Sequence, residues 1–395
     1  MLPRERVFAA LAHKEADRVP WGEHWIDHNI YRDILGRESY FHGKIREAYA
    51  WWEGRDAEIL DSYKRDVPDL ARALDLDIVT VELIPTSLYV LVGQRGLEGF
   101  RKPMERIDET AYRDSDGSIW HVSTATGDLM PYSLNPASYA PPTMESLERD
   151  IDKIDREGVE KPAAWRWELV RHVVKEMRAT RFVASLAPDI GFPGFGQTDE
   201  DHWLNLALHP EMHAALAEKA GKSAIASLKY FAEEGVDGVI PCADYGSSSG
   251  LLANPRIFVE HVFPWLKAYC DEAHRLGLKV LKHSCGRSID IFEYFIQAGY
   301  DAYEAIQPTA GMDIRILKER FGDRITLWGG VSNEQLIGGS PKDVEADARY
   351  ALEWAAPGGG FIYGASHSLA VGTSKANLLA MKRCRDTLGR YPIRL

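Results

Sequence analysis

No apolar run in the 395 residues approaches the roughly 20 that a membrane helix needs, and charge interrupts the longest candidates within a few positions. A membrane span is excluded. Cysteine is scarce: Cys242, Cys270, Cys285 and Cys384 are scattered with no CxxC pair, and Met1 leads straight into the charged LPRERVFAALAHKEADR with no signal-like stretch. That pattern predicts a cytoplasmic protein with free thiols. Positive charge is in deficit, 47 Lys and Arg against 59 Asp and Glu for a net −12, so no long-range field gathers nucleic acid or anionic lipid. Low-complexity tracts and internal repeats are also missing. What is present, 45% hydrophobic and 27% charged residues with 33 Gly and 20 Pro, is the composition of a globular protein. Its length suits two or three average domains, or one barrel enlarged by insertions.

Short β-branched apolar runs alternate with helix-length amphipathic stretches, the mark of βα units and a parallel sheet. Eight such runs can be counted: Arg18–Trp21, Ile78–Ile84, Arg181–Leu186, Gly238–Cys242, Lys279–Lys282, Asp301–Ile306, Ile325–Trp328 and Gly360–Tyr363. Helical patterns lie between them, among them His209–Glu234 and Pro255–Leu276, the latter stopped by Gly277. Eight runs predict an α/β fold of the (β/α)8 TIM-barrel type rather than an open sheet. The segment 85–162 breaks the rhythm. It holds an expected hairpin, Glu105–Arg113 and Ser118–Thr124 about Asp116-Gly117, and then a Pro-rich connection through Pro131, Pro136, Pro141 and Pro142. The expectation is therefore one barrel domain over 1–395, with 85–162 an insertion after the second strand, at the barrel mouth.

Barrels of this kind do their chemistry at the carboxyl ends of the strands. Polar residues gather there: Asp189 after the third run, Asp244 and Tyr245 after the fourth, His283 and Cys285 after the fifth, Glu304 and Gln307 after the sixth, and His367 after the eighth. Residues two apart on a strand share a face, so the imidazole of His283 and the thiol of Cys285 project together as a donor pair suited to Zn2+. The plain alternative is a buried cysteine beside a satisfied core histidine. A third ligand must come from elsewhere, and His367 in GASHS is the natural one, its alternatives being a general acid or a loop histidine bonded to backbone. Asp244 and Glu304 are candidate catalytic carboxylates, and they read equally as metal ligands, as groups that orient the imidazoles or as plain ion-pair partners. Asp189 reads equally as a helix N-cap. The aromatics Trp21, Trp25, Tyr31, Tyr40, Phe41, Tyr49, Trp51 and Trp52 read as core and lid, with an aromatic substrate wall as the alternative.

The opening RERVFAALAHKEADRVPW, the stretch GVDGVIPCADYGSSSGLLANPRIF, the HSCG and the tail GGVSNEQL, GGGFIYGASHS and NLLAM together resemble the uroporphyrinogen decarboxylase-like superfamily. The resemblance extends over most of the chain outside the hairpin insertion. It implies a (β/α)8 barrel with its active site in the mouth, often in a homodimer. Decarboxylases proper carry an arginine-rich RQAGRY after the first strand to grip a polycarboxylate; this chain reads GEHWIDHNIYRD, and Glu23, His24 and Asp27 make no cationic clamp. The corrinoid-linked methyltransferase branch carries HxC on the fifth strand as zinc ligands, matched by His283 and Cys285. Its third ligand is usually a cysteine where this chain has His367, and decarboxylases carry a histidine in that neighbourhood.

The resemblance thus implies a zinc-dependent methyltransferase acting on a small methoxylated or methylated compound, with metal ligands His283, Cys285 and His367. It also implies a corrinoid (cobalamin), carried on a partner protein. Trp25, His24, Asp189, Tyr245 and Gln307 are expected to contact the small-molecule substrate. The competing expectation is a metal-free lyase in which His367 donates a proton and Asp244 stabilises developing positive charge. A catalytically inert binding protein would require the clustered polar residues to be accidental.

Overall fold

The computed structural model describes residues 1–196 and 198–394. In chain order the strands are β1 (Ile78–Val81), β2 (Glu105–Arg106), β3 (Ala111–Arg113), β4 (Ile119–Val122), β5 (Leu129–Ser133), β6 (Phe182–Ala187), β7 (Gly238–Pro241), β8 (Lys279–His283), β9 (Ala302–Glu304), β10 (Thr326–Val331) and β11 (Phe361–Ala365). Seven of them, β1 and β6 to β11, form one parallel sheet in sequence order, with helices between them.

The run expected as the first strand closes this sheet with a single bridge, Trp21 to Tyr363. On one side Tyr363 N–H donates to Pro20 O at 2.8 Å and Gly22 N–H to Tyr363 O at 3.0 Å; on the other, Asp77 N–H donates to Trp21 O at 2.7 Å. Proline offers no N–H to a ladder, which keeps this eighth stave short. Position 22 must be glycine for space, because a Cβ there would lie 2.8 Å from the Ile78 side chain. The result is a barrel of the TIM type, as the alternation of runs predicts.

One cluster of side chains fills its interior: Ile78, Phe182, Ala184, Ile240, Leu281, Ala302, Trp328 and Ile362. Val7, Ala10 and Leu11 join them from the helix Pro3–Leu11, which lies against β1, β6 and β11. Their i, i+3, i+4 spacing makes a short apolar stripe in an otherwise charged segment. The larger core lies between the strands and the outer helices.

Period-two alternation carries the interior face upward, so the residue two beyond Leu281 is His283 and the residue two beyond Ala302 is Glu304. The register of β8 and β9 sets His283 directly beside Glu304.

Three elements differ from expectation. Glu105–Arg113 is two strands, because Asp108 Oδ1 accepts the N–H groups of Thr110 and Ala111 at 2.8 Å each and turns the chain. The segment after the hairpin holds β5, completing a four-stranded antiparallel sheet; Pro131 is tolerated because β5 is an edge, with an irregular register at Ile119/Trp120. The helix Met144–Glu157, capped by Thr143, follows in place of irregular connection. The third difference is that Pro255–Leu276 is not one α-helix: a π turn, Phe258–Val262, precedes the helix Phe263–Arg275. Pro264 has no N–H for the carbonyl four residues back, and Phe263 N–H donates five back, to Phe258 O. Among the described residues no helix is long and apolar enough to cross a membrane, and all four cysteines are free thiols.

Candidate metal centre

Three donor groups from two strand ends converge: His283 as the last residue of β8, Cys285 just beyond it, and His367 after β11, with ligand atoms all within 4.8 Å of one another. Cys285 Sγ lies 3.2 Å from His283 Nε2 and 3.0 Å from His367 Nε2. A thiolate and an imidazole on one tetrahedral Zn2+ stand roughly 3.5 Å apart, from Zn–S and Zn–N lengths of about 2.3 and 2.05 Å. Each nitrogen needs to draw back from the sulfur by only a few tenths of an ångström to admit an ion, and the two nitrogens lie within 4.8 Å of each other, so the donor set fits zinc in kind and spacing.

The turn presenting Cys285 is pinned from two sides. Asp244 Oδ1 accepts Cys285 N–H at 2.7 Å, and Gln307 Oε1 accepts Gly286 N–H at 2.6 Å. Gly286 has φ +76°, and a Cβ on it would fall 2.4 Å from the backbone of Gly246, so the two loops approach as closely as they do only with glycine there.

Hydrogen bonds assign the proton on each ring. His283 Nδ1 meets Glu304 Oε2, an acceptor, so Nδ1 carries the hydrogen and Nε2 presents its lone pair to Cys285. This carboxylate–histidine–ligand arrangement is the support that metal-bound histidines commonly have. His367 is held differently, because its Nδ1 accepts the Ser368 N–H at 2.6 Å and the neutral ring therefore carries its hydrogen on Nε2, aimed at the sulfur. A directional chain results: Ser368 N–H to His367, His367 to Cys285, the thiol to His283, and His283 to Glu304.

His24 completes the cluster. Its ring stacks on that of His283 with centroids 4.0 Å apart, and its Nδ1 stands 3.4 Å from Glu304 Oε2. Burial pushes His24 down to about 4 despite the nearby carboxylate, and burial with the His283 charge also lowers His367. Burial alone would raise Glu304, but His24 and His283 outweigh it and hold it below the usual carboxylate range. Cys285 is pushed up by burial and then by Asp244 and Glu304, so with no cation beside it the sulfur stays a thiol.

The other expected residues divide. Trp25 is half-buried, stacked on His42 at 3.6 Å with its indole N–H on Asp27. Two expected substrate contacts have structural partners instead. Tyr245 is wholly buried among Phe192, Phe258 and Phe295 with its hydroxyl donated to Ile190 O, so it packs the core and does not face a substrate. Asp189 is no helix cap: its carboxylate pairs with the fully buried Lys282 and accepts the N–H groups of Ala243 and Ile190 at 2.6 and 2.7 Å.

Sequence reading missed Lys282 and the environment of Glu23. Glu23 takes the Trp21 indole N–H at 2.6 Å and the Ala365 N–H, and burial pushes it up to about 8. A charged residue inside an apolar strand, as in KVLKH, is the one signal that could have flagged Lys282.

Fold and site together define a parallel barrel with its polar cluster at the carboxyl ends of the strands. Residues 193–388, about half of the chain, match the family model of uroporphyrinogen decarboxylase (URO-D), and over that stretch the protein is uroporphyrinogen decarboxylase-like. Among solved structures it is similar to a methyltransferase from Methanosarcina mazei, at 16% identity over 98% of both chains with a TM-score of 0.66. Chitinases from Chromobacterium violaceum and Flavobacterium johnsoniae align over 60% and 57% of this chain, and 94% and 81% of theirs, at 11% and 12% identity, with TM-scores of only 0.34 and 0.33. No curated protein sequence matches the chain.

Proposed function

We propose that this protein is a zinc-dependent methyltransferase of the uroporphyrinogen decarboxylase-like superfamily. In this reading it moves a methyl group between a small methoxylated or methylated compound, or a methyl-corrinoid, and a corrinoid or thiol acceptor. The observation that carries the reading is the convergence of His283 Nε2, Cys285 Sγ and His367 Nε2 with Glu304 behind His283. Zn2+ held there would act as a Lewis acid, drawing electron density from an ether or phenol oxygen or keeping a thiol acceptor ionised.

The chain's own residues do the positioning. Glu304 keeps the His283 proton on Nδ1 and so keeps Nε2 free. Asp244 and Gln307 fix the turn that carries Cys285. His24 covers one face of His283 and excludes water from it. Trp25, held against His42, offers an apolar edge to a small aromatic substrate. The segment where decarboxylases carry arginines presents Glu23, His24 and Asp27, all buried, which disfavours a polycarboxylate. The corrinoid would sit on a partner protein, and the barrel would work as a homodimer.

A second reading is favoured by one observation, the Ser368 N–H on His367 Nδ1, which leaves a hydrogen on Nε2 as a proton donor would have it. In that case the protein is a metal-free lyase on a small carboxylated substrate. The deciding assay incubates the zinc-loaded enzyme with a panel of methoxyaromatics and a Co(I) corrinoid and follows methyl-Co(III) formation by absorbance. Methylation dependent on zinc supports the first reading. Decarboxylation of a small acid by the metal-stripped protein would replace it with the second.

A further inference from the structure

Away from the mouth, His213 poses a separate problem. It lies in the first turn of the helix Pro210–Glu234, only 2% exposed, and both of its ring nitrogens are buried with no hydrogen-bond partner among the described residues. A buried, unpaired polar group costs about 1–3 kcal/mol, and native proteins keep few of them. The ring lines a cavity of about 240 Å³ together with Leu206, Pro210, Asn254, Ile257 and His261. His261 belongs to the π turn Phe258–Val262, an irregularity that recurs at functional sites.

The two imidazoles stand with centroids 5.2 Å apart and planes at 68°. Two imidazoles on one tetrahedral ion, with Zn–N near 2.05 Å, place their ring centres roughly 5 Å apart. The pair His283 and His367 has almost the same geometry, 5.4 Å and 76°. Glu260, the carboxylate that also lines the cavity, is already engaged by Arg256 at 2.6 Å.

We infer that His213 and His261 form a second transition-metal site, taking one late first-row divalent ion such as Zn2+ or Co2+ and completed by solvent from the cavity. It would clamp the start of the helix Pro210–Glu234 to the π turn, independently of any chemistry in the barrel mouth.

The test uses Co2+ alone on the full-length, metal-stripped protein. In the double variant Cys285→Ala/His367→Ala one equivalent of Co2+ should still bind, giving d–d bands in the visible and no sulfur-to-cobalt charge transfer in the near ultraviolet. His261→Ala in that background, at a half-buried position that the fold tolerates, should weaken binding at least tenfold, and His213→Gln should do the same. Should the mouth bind no metal at all, the wild type would still take one equivalent that His261→Ala removes. A double variant that binds no Co2+, or Co2+ binding indifferent to His261→Ala, overturns the inference.

Discussion

Glu304→Gln isolates what the carboxylate behind His283 contributes. Glutamine keeps the size of the side chain and one oxygen able to accept from Nδ1, but removes a buried charge lying between His283 and His24. That charge stands roughly 6 Å from an ion on His283 Nε2, one imidazole away, and for a divalent cation Coulomb's law gives about 1.4 kcal/mol at ε of 80 and about 5.5 kcal/mol at ε of 20. Losses measured for comparable supports, 10- to 100-fold in metal affinity or about 1.4–2.8 kcal/mol, fall inside that bracket. Competition for Zn2+ against a chromogenic chelator at pH 7 should therefore show affinity falling by about that factor. The metal-free protein supplies a control with a definite sign. Because Glu304 is held below the usual carboxylate range, its stabilisation is present above the unfolded value near 4.3 and lost as pH falls through its lower folded value. The gap in urea stability between wild type and variant should be widest near pH 7 and narrow below about pH 4. Zinc affinity unchanged within twofold would refute the assignment of Glu304 as the support of a ligand.

Three further outcomes follow from the same geometry. Asp189→Ala should destabilise the fold by about 3–5 kcal/mol in urea titration, because it strands the buried Lys282 charge; a change confined to KM, with stability intact, would return Asp189 to the substrate. Glu23, pushed up to about 8, favours the fold when protonated, so its contribution is full below about pH 4.3 and is lost as pH rises toward 8. Glu23→Gln should flatten that decline, and identical pH–stability curves would show that Glu23 ionises without cost. His367→Cys should keep metal and methyl transfer if position 367 is a ligand, but abolish most activity if it is a general acid, since a thiol with pKa of about 8.5 replaces imidazole poorly.

Much of the barrel was legible because its signal is local. Each β-branched run carries its own periodicity, and the i, i+2 relation of His283 and Cys285 holds on any strand. The layers that depend on register were not. Nothing near Glu304 in sequence says that it will pair with His283, since that follows from how β8 and β9 align. Tyr245 and Asp189 sit at strand ends just as His283 does, yet one turns into the aromatic core and the other is claimed by Lys282 from a neighbouring strand. The short first stave was found as a run, but Pro20 reduces it to one bridge. Pro131 reads as a breaker until its strand is known to lie at a sheet edge.

The central claim is that His283, Cys285 and His367 hold one zinc ion, and elemental analysis of the purified protein tests it most directly. The His261→Ala variant, which lacks the second His pair, should contain one equivalent of zinc per chain. Adding Cys285→Ala should lower that occupancy by roughly tenfold or more, since a thiolate is the strongest anionic donor in the set. Wild-type protein without zinc after growth in zinc-replete medium, or occupancy unaffected by Cys285→Ala, would contradict the account.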